Sequence, residues 1–290
     1  MTLLVTGASG HLGRLVVEAL IARGTPAADV VPTARRPEAV SDLAERGVQV
    51  RRADYTDPAS LDAALDGVDR LLLVSGSEVG QRTAQHANVI EAAKRAGVSF
   101  VAYTSITRAD TSDLVLAEEH RATEELLAAS GLPHALLRNS WYLENYTGQL
   151  PVFLEHGAVL GAAGEGRVSA ASRADYAEAA AVVLAGNGHA GAVYELGGDT
   201  AFTMGELAET VSRVAGREVA YADLPVPDYT AALVAAGLPE GYAAVLADGD
   251  RGLSEGQLFT DSGDLSRLIG RPTTTLEAAL RAALVPTATA

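Results

Sequence analysis

The chain opens with Thr2-Leu3-Leu4-Val5-Thr6, which runs directly into Gly7-Ala8-Ser9-Gly10-His11-Leu12-Gly13. The first five residues are apolar or β-branched, and they predict a short buried strand. Apolar residues with helical spacing follow over residues 15–21, and Gly24 ends that segment. A strand, a glycine-rich turn and a helix in this order form the mononucleotide-binding unit of a Rossmann sheet.

The three glycines of this turn each have a physical reason. Gly7 permits a tight turn off the strand, Gly10 leaves room for backbone N–H groups to approach a pyrophosphate, and Gly13 allows close packing of the helix. The N-terminus of the helix adds unpaired N–H groups and a positive dipole end. The spacing is G-x-x-G-x-x-G, which resembles that of extended and atypical short-chain dehydrogenases/reductases. We therefore predict that the cofactor binds to Gly7, Ala8, Ser9, Gly10, His11, Leu12 and Gly13.

Composition excludes several classes of function. The 290 residues carry a formal net charge of −15 and no cysteine. A protein that binds nucleic acid needs a basic face, so a nucleic-acid partner is not expected. Disulfides, thiolate nucleophiles and cysteine-ligated metals are absent as well. No segment reaches the ~20 apolar residues of a membrane span, and the first apolar run is too short for a signal peptide, so we expect a cytoplasmic protein without membrane insertion.

The lysine content decides one mechanistic question. Lys94 is the only lysine, and Ile90 stands four positions before it. The usual active site of short-chain dehydrogenases contains a tyrosine followed four residues later by a lysine, which lowers the pKa of the phenol and holds the ribose. Any reaction of this protein must therefore proceed without that acid–base pair.

Strand-like and helix-like segments alternate through the first half of the chain. After the opening unit, the predicted strands are 29–34, 48–50, 69–74, 98–104 and 133–138, and the predicted helices are 38–46, 59–65, 79–96 and 114–129. This alternation predicts an α/β fold with a doubly wound parallel sheet of Rossmann type. We assign residues 1–150 to an NAD(P)-binding Rossmann domain.

The second half has a looser pattern and is assigned to a smaller substrate-binding lobe, residues 151–290. Glycine-rich residues 157–166 predict a loop and a short hairpin, and helices are predicted over 173–184, 203–215 and 275–284. Thr203 with Glu206 three residues later predicts a capping box. We expect the late strand at 192–196 to return to the main sheet.

The end of the second predicted strand indicates which dinucleotide binds. Ligands of such sheets lie beyond the carboxyl ends of the strands, where NAD enzymes usually place an acid for the ribose 2′-hydroxyl. Here the sequence is Thr33-Ala34-Arg35-Arg36, without an acid. Arg35 suits a 2′-phosphate by charge and geometry, so we predict NADPH, with weaker use of NADH. If both arginines are only solvated charges, the preference stays open.

Small polar residues at the other predicted strand ends form a second group of candidates. Each of them alone could be an ordinary strand cap, but a cofactor lying across one sheet edge explains them as a set. Asp54 either meets the adenine or caps the helix that begins after Pro58. The candidates in this group are Asp54, Ser75, Gly76, Ser77, Thr104 and Ser105.

Longer stretches carry a resemblance to a known family. They are LLLVSGSEVGQR at 71–82 and RNSWYLENY at 138–146, with the shorter YTS at 103–105, GAAG at 161–164, RADY at 173–176 and GRPTTT at 270–275. Nearly end to end, the chain resembles bacterial NAD(P)H:quinone oxidoreductases of the NmrA-like group of atypical short-chain dehydrogenases/reductases. Gly76 and Ser140 depart from the family pattern, in which serine and glycine respectively are usual, so the placement of the nicotinamide stays open.

The resemblance implies where NADPH and a quinone would bind. NADPH would contact the glycine turn, Arg35, residues 75–77 and the segment after the sixth strand, where the candidates are Asn139, Ser140, Trp141, Tyr142 and Glu144. The quinone would lie over the nicotinamide near Trp141, Tyr142 and Asn145.

Quinone reduction suits a site without the tyrosine–lysine pair, because a quinone accepts hydride without prior protonation and catalysis can come from stacking it on the nicotinamide. Asn145 is the predicted hydrogen-bond donor to the developing quinol oxygen, with Tyr103 or Tyr142 as alternatives. Trp141 could instead be a core anchor between the lobes, and Asn145 could instead cap a helix.

The histidines do not indicate a metal site. His120 lies within a predicted helix among charged residues, which favours a solvated or supporting role over that of a general base. His86, His134 and His156 are scattered and are expected to be structural or exposed.

Two other functions fit the same sequence. One is a redox sensor that binds NADP(H) and a protein partner without turnover, since the missing tyrosine–lysine pair suits it equally. The other is a reductase of a different flat acceptor, such as a dye or an azo compound. The aromatic segment that contains Asn145 favours a substrate pocket and hence an enzyme. A homodimer is compatible with the sequence.

Overall fold

Nine β-strands form two parallel sheets in the computed structural model, which describes residues 1–285. In chain order the strands are β1 (Leu3–Val5), β2 (Val30–Ala34), β3 (Arg51–Arg52), β4 (Arg70–Leu73), β5 (Phe100–Ile106), β6 (His134–Asn139), β7 (Ala158–Gly161), β8 (Val193–Leu196) and β9 (Ala220–Asp223). The main sheet has the order β3-β2-β1-β4-β5-β6-β8, and all its pairs are parallel. The predicted doubly wound Rossmann-type sheet is thereby confirmed.

Thirteen α-helices connect and flank these strands within residues 1–285. They are α1 (His11–Ala22), α2 (Ser41–Glu45), α3 (Pro58–Leu65), α4 (Arg82–Ala96), α5 (Val115–Ser130), α6 (Glu144–Thr147), α7 (Leu150–His156), α8 (Arg173–Ala185), α9 (Met204–Ala215), α10 (Val226–Ala235), α11 (Glu240–Ser254), α12 (Asp264–Ile269) and α13 (Leu276–Leu284). The predicted capping box is present at α9, where Thr203 accepts from the amide of Glu206. The predicted helix at 79–96 starts later, at Arg82, after Gly80 with a φ of +84°.

The main sheet buries both of its faces under helices. Leu72 and Ala102 belong to the core on the side of α1 and α8, whereas Leu71, Leu73 and Tyr103 belong to the core on the side of α3, α4 and α5. Alternate residues of a strand point to opposite faces, so each strand contributes to both cores. Helices on both faces leave the carboxyl edge of the strands as the open part of the sheet.

The second half of the chain forms a further core and also returns to the main sheet. Residues of α7, β7, α9 and α13 pack into this separate core, whereas α8 packs on α1 and β8 pairs with β6. The division into residues 1–150 and 151–290 stays a prediction, and residues 286–290 of the predicted lobe lie outside the described part.

The prediction of a hairpin within residues 157–166 is wrong. β7 pairs in parallel with β9, with Ala158 opposite Ala220 and Gly161 opposite Asp223. Parallel strands need a long crossover, and here α8, β8 and α9 lie between the two partners. The strand signal at 158–161 was hidden by the surrounding glycines.

Candidate cofactor and substrate site

The turn between β1 and α1 brings its backbone close to any ligand at the sheet edge. Gly7 has a φ of +64°, which residues other than glycine rarely adopt. A Cβ on Gly13 would lie 2.4 Å from the Gly7 carbonyl oxygen, so glycine is required for α1 to begin directly against the turn. Gly10 is the N-cap of α1, and in the described part of the chain no side chain caps the first amides of this helix. These amides can bind an anion such as a pyrophosphate.

The other predicted residues of the turn contribute mainly backbone. Ala8 and Leu12 have buried side chains, and the Ala8 amide donates to the Thr33 carbonyl at 2.8 Å, which ties the turn to β2. Ser9 and His11 are exposed on the open side of the turn. The arrangement offers a phosphate the backbone of α1 and no acidic side chain.

Arg35 follows β2 directly and lies on the open side of the sheet. Its side chain is 71% exposed, and Nη1 lies 3.3 Å from Glu78 Oε1. The contact between Ala8 and Thr33 places the end of β2 beside the glycine turn. A guanidinium at this place can bind a 2′-phosphate by donating two parallel hydrogen bonds to it.

The structure tests one of the two alternatives for Asp54. The Asp54 carboxylate accepts from the amide and hydroxyl of Thr56 at 2.9 and 2.7 Å, and these hydrogen bonds lower the pKa of Asp54. The N-cap of α3 is Asp57, so the alternative that Asp54 caps this helix is wrong. Contact with adenine stays a prediction. Tyr55 joins the ends of β1 and β4, since its hydroxyl lies 2.5 Å from Thr6 Oγ1 and donates to the Val74 carbonyl at 2.8 Å.

The loop between β4 and α4, residues 74–81, crosses the middle of the carboxyl edge. Thr104 at the neighbouring strand holds it, because Thr104 Oγ1 accepts from the Ser75 amide at 2.9 Å. Ser75 and Gly76 are partly buried and Ser77 is exposed. Thr104 is itself buried, so its contribution to a cofactor would be made through this loop.

Two predicted site residues on β5 point away from the open edge. Tyr103 is fully buried, and its hydroxyl lies 2.7 Å from Nδ1 of His120, which is also buried. Ser105 donates to Glu124 Oε1 at 2.5 Å, beside the ion pair of Glu124 with Arg138. Tyr103 as a hydrogen-bond donor to substrate and Ser105 as a cofactor contact are therefore wrong.

The register of β5 explains why Tyr103 and Ser105 both point away from the open edge. β5 extends to Ile106, two residues beyond the predicted end, so Ser105 lies inside the strand. Side chains at alternate positions share a face, and positions 103 and 105 both face α5. His120 is buried by the same packing, so the expectation that it is solvated is wrong. Burial lowers the pKa of its imidazole.

The end of β6 provides one buried polar atom without a partner. Asn139 is 5% exposed, and its Oδ1 makes no hydrogen bond within residues 1–285. A buried amide oxygen is rarely left unpaired, so this atom can accept from a ligand that carries N–H groups. Ser140, in contrast, uses its amide on the Leu196 carbonyl at 2.8 Å and its hydroxyl on the Leu258 carbonyl at 2.7 Å. Both groups are thus used within the protein, and the predicted contact of Ser140 with the cofactor stays a prediction.

Trp141 and Tyr142 pack in different ways. A Cβ on Gly249 of α11 would lie 3.3 Å from Trp141 Cη2, so the indole packs against the second half of the chain as the core-anchor alternative expected. Tyr142 is partly buried, and its ring packs edge-on against Tyr176 with centroids 5.5 Å apart. The Arg173 guanidinium lies 4.7 Å from the centroid of the Tyr142 ring.

Glu144 and Asn145 both contact the start of α8. The Glu144 carboxylate accepts from the Arg173 amide at 2.9 and 3.1 Å, next to Ser172, the N-cap of α8. Its contact with the cofactor stays a prediction. Asn145 Oδ1 accepts from Arg173 Nη2 at 3.2 Å, and Nδ2 makes no hydrogen bond within the described residues 1–285. Asn145 lies inside α6 behind the N-cap Leu143, so the alternative of a helix cap is wrong.

Arg173 is the residue of this site that sequence reasoning missed. It contacts Tyr142, Glu144 and Asn145, although 28 or more positions separate it from each of them. The only local signal was its place in the segment 173–176, which matched the family pattern and predicted the start of a helix. Its contacts arise because the first residue of α8 lies beside α6.

Two further observations concern other kinds of site. Within residues 1–285, no group of three or more histidine and acidic side chains could hold a metal ion. In the same part of the chain, no helix has both the length and the apolar character needed to cross a membrane.

The residues present fit a dinucleotide. Gly7 has the positive φ of a tight turn, and a Cβ on Gly13 would collide with the Gly7 carbonyl oxygen. Within residues 1–285, the first amides of α1 have no side-chain cap and the buried Asn139 Oδ1 lacks a partner. These features lie at the ends of β1 and β6, on the same carboxyl edge of the sheet, with Arg35 at the end of β2. That edge is where dinucleotides bind in such folds.

Known proteins agree with this interpretation of the site. A model of the NmrA-like family matches residues 1–277. Quinone oxidoreductase 2 of Escherichia coli (strain K12) is 54% identical over 272 residues, which cover 94% of this chain and 95% of that protein. The crystal structure of the Escherichia coli NADPH-dependent quinone oxidoreductase complexed with NADPH has a TM-score of 0.94 at 52% identity and covers 96% of this chain and 98% of that chain.

A second solved relative has a different acceptor in its name. The Citrobacter sp. triphenylmethane reductase complexed with NADP(H) has a TM-score of 0.93 at 37% identity and covers 98% of this chain and 100% of that chain. The family resemblance that the sequence carried is confirmed. On the family match and these identities, the chain belongs to the NmrA-like family.

Proposed function

We propose that the protein is an NADPH-dependent quinone oxidoreductase that transfers hydride directly from the nicotinamide to a quinone. The observation that carries this proposal is the 54% identity with quinone oxidoreductase 2 of Escherichia coli over 94% of the chain. The site supports it, because the edge of the sheet combines an anion cradle at α1 with an aromatic, amide-bearing segment after β6.

The chain's own groups hold the cofactor in this proposal. The amides at the start of α1 bind the pyrophosphate, and Arg35 binds the 2′-phosphate of NADPH. Asn139 Oδ1 accepts from the carboxamide N–H groups of the nicotinamide, which satisfies the buried atom that lacks a partner. When bound, NADPH supplies the hydride.

At the substrate, Tyr142, just before α6, acts by its position, and Asn145, in α6, acts through one hydrogen bond. Tyr142 offers a ring to a flat acceptor while Arg173 lies over that ring. Asn145 Oδ1 is occupied by Arg173, so Nδ2 faces the substrate as a donor to the developing quinol oxygen. A quinone needs no general acid before hydride transfer, which agrees with the absence of a tyrosine–lysine pair.

The direct test is to mix the purified protein with NADPH and a panel of soluble quinones and follow absorbance at the reduced nicotinamide band. Oxidation that requires both protein and quinone is expected, and it should be slower with NADH. The alternative of a redox sensor predicts binding of NADPH and NADP⁺ with similar affinity and no acceptor-dependent oxidation. That result with the whole panel would replace the enzyme by the sensor.

Reduction of a flat dye is a second candidate activity, because triphenylmethane reductase of Citrobacter sp. is 37% identical over nearly the whole chain. The same assay with triphenylmethane and azo dyes distinguishes the two acceptors. We expect a higher kcat/KM with quinones than with dyes. The expected cytoplasmic location, the absence of a nucleic-acid partner and the compatibility with a homodimer stay predictions.

A further inference from the structure

Side chains of α4 bind the loop at residues 74–81 through the amide and the carbonyl of Gly76. The Gly76 amide donates to His86 Nε2 at 3.0 Å, and the Gly76 carbonyl accepts from Arg82 Nε at 2.8 Å. Both side chains come from α4. A Cβ on Gly76 would lie 3.2 Å from Gln85 Oε1, so a third residue of the same helix also contacts this point. α4 thus fixes the position and the orientation of the Gly76 peptide.

The far end of the same loop is tied to α5. Glu119 Oε1 accepts from the amides of Gly80 and Arg82, each at 3.1 Å. Glu119 and Arg82 form an ion pair at 3.6 Å, in which the two side chains are 14% and 7% exposed. A buried ion pair adds little stability compared with a hydrophobic pair of equal volume. The pair is explained here by the backbone groups that its two side chains bind, which are the amides of Gly80 and Arg82 and the carbonyl of Gly76.

The hydrogen bonds around His86 select one tautomer. Thr123 Oγ1 donates to the Glu119 carbonyl at 2.8 Å, so at its 2.9 Å contact with His86 it must accept, and Nδ1 carries the proton. Nε2 then has the lone pair that accepts from the Gly76 amide. Burial lowers the pKa of His86 to about 3, which keeps the imidazole neutral. The ring thus uses Nδ1 on Thr123 of α5 and Nε2 on the Gly76 amide of the loop.

From these contacts we infer that His86 and Arg82 are positioning residues for the dinucleotide. They hold the Gly76 peptide so that Ser75 and Ser77 face the cofactor at the middle of the sheet edge. This inference rests on the proposed function, because it assumes that NADPH lies across this edge. Neither residue touches the reacting atoms, so both act on cofactor binding and not on the hydride transfer.

The experiment compares two substitutions at one position. His86→Phe keeps the volume of the ring but removes the acceptor, whereas His86→Gln places an amide oxygen where Nε2 lies. We expect His86→Phe to raise the Kd and KM for NADPH about tenfold, since a partly buried N–H loses its partner, while kcat at saturating NADPH changes less than about twofold. His86→Gln should recover most of this loss. Arg82→Lys, which keeps the charge opposite Glu119 but loses Nε, should weaken NADPH binding to a similar extent.

The matched control is His189→Phe, since His189 contacts Tyr194 of β8, the strand at the end of the main sheet. It should leave the Kd for NADPH unchanged. Amide hydrogen exchange of the loop without cofactor gives a second readout, and His86→Phe should increase exchange at residues 76–80.

Unchanged NADPH binding in folded His86→Phe, or an equal loss in His86→Gln, overturns the positioning role while leaving the enzyme in place. If His86→Phe does not fold, Arg82→Lys decides, and an unchanged Kd in that variant overturns the inference. A wild-type protein that does not bind NADPH overturns the proposed function itself.

Discussion

Arg173 organises the side chains nearest to the proposed quinone site. Its guanidinium lies over the Tyr142 ring and donates to Asn145 Oδ1, while its backbone amide donates to the Glu144 carboxylate. An asparagine amide can be rotated by 180° with little change in shape, so a fixed donor on Oδ1 decides which end faces the substrate. The orientation of Asn145 is therefore a property of the pair and not of the asparagine alone.

Removal of the Asn145 amide tests its role as donor. We expect Asn145→Ala to lower kcat/KM for quinones about tenfold or more, because a donor to the developing quinol oxygen is lost. The Kd for NADPH should change little. Gln149→Ala is the control, since Gln149 is exposed and its Nε2 donates to the backbone carbonyl of Asn145 rather than to the Asn145 side chain. A variant as active as the wild type would rule out Asn145 as the donor.

We assign the preference for NADPH over NADH to a single residue, Arg35. We expect Arg35→Ala to raise the KM for NADPH about tenfold, since a charge-assisted contact to the 2′-phosphate is lost, and to leave the KM for NADH nearly unchanged. The adjacent exposed Arg36 provides the control, and Arg36→Ala should have a small effect on both cofactors. Steady-state kinetics with both cofactors measures the ratio. If Arg35→Ala retained the preference for NADPH, another group would have to bind the phosphate.

At the scale of elements, the start of α1 depends on its contact with the turn. A side chain at Gly13 would meet the carbonyl oxygens of Gly7 at 2.4 Å and of Thr6 at 2.9 Å, both of which are backbone atoms. Backbone cannot rotate away as a side chain can, so the helix would have to move. Such a shift would displace the amides that bind the pyrophosphate.

Gly13→Ala therefore combines a loss of stability with a loss of binding. We expect about 1–3 kcal/mol of destabilisation in urea unfolding and a Kd for NADPH at least tenfold higher. The control is Gly241→Ala in α11, where a Cβ meets nothing within 4 Å. That variant should be as stable as the wild type or slightly more stable, because alanine favours helix. Normal stability and binding in Gly13→Ala would contradict the close approach.

At the scale of the whole molecule, Asp250 joins α11 to the end of β7. Its Oδ2 accepts from the Ala162 amide at 2.8 Å, and the carboxyl of Asp223 at the end of β9 lies nearby. Burial, with a smaller contribution from Asp223, raises the pKa of Asp250 to about 6. The folded protein thus holds a proton that the unfolded chain releases near its ordinary value of 3.8.

This shift predicts how stability changes with pH. Between about pH 4 and 6 the unfolded state binds fewer protons at this site, so the free energy of unfolding falls as the pH rises. The contribution is about 3 kcal/mol at most. Asp250→Asn keeps an acceptor for the Ala162 amide and cannot ionise, so it should be more stable than the wild type at pH 7.5 and similar to it at pH 4.

Urea unfolding of both proteins at the two pH values measures the difference. Asp261→Asn serves as the control, because Asp261 is exposed. Parallel pH profiles for the wild type and Asp250→Asn would show that this carboxyl does not titrate in the window.

Local patterns determined the parts of this protein that depend on neighbouring residues in the chain. The strand–glycine–helix opening, the alternation that implies a parallel sheet, the capping box at Thr203 and the placement of Arg35 just after β2 could all be read from the sequence. Each rests on backbone preferences, hydrophobic periodicity or hydrogen bonds that span a few residues, and these are the same in any tertiary context.

Only the tertiary structure decided which polar side chains face the open edge. A two-residue extension of β5 buried Ser105 against Glu124. The start of α8 lies beside α6, where the Arg173 amide donates to Glu144 and the Arg173 guanidinium donates to Asn145. The parallel partner of β7 lies some 60 residues away in the sequence. Such contacts depend on register and on long-range packing, where a shift of one position exchanges the two faces of a strand, and no local pattern specifies them.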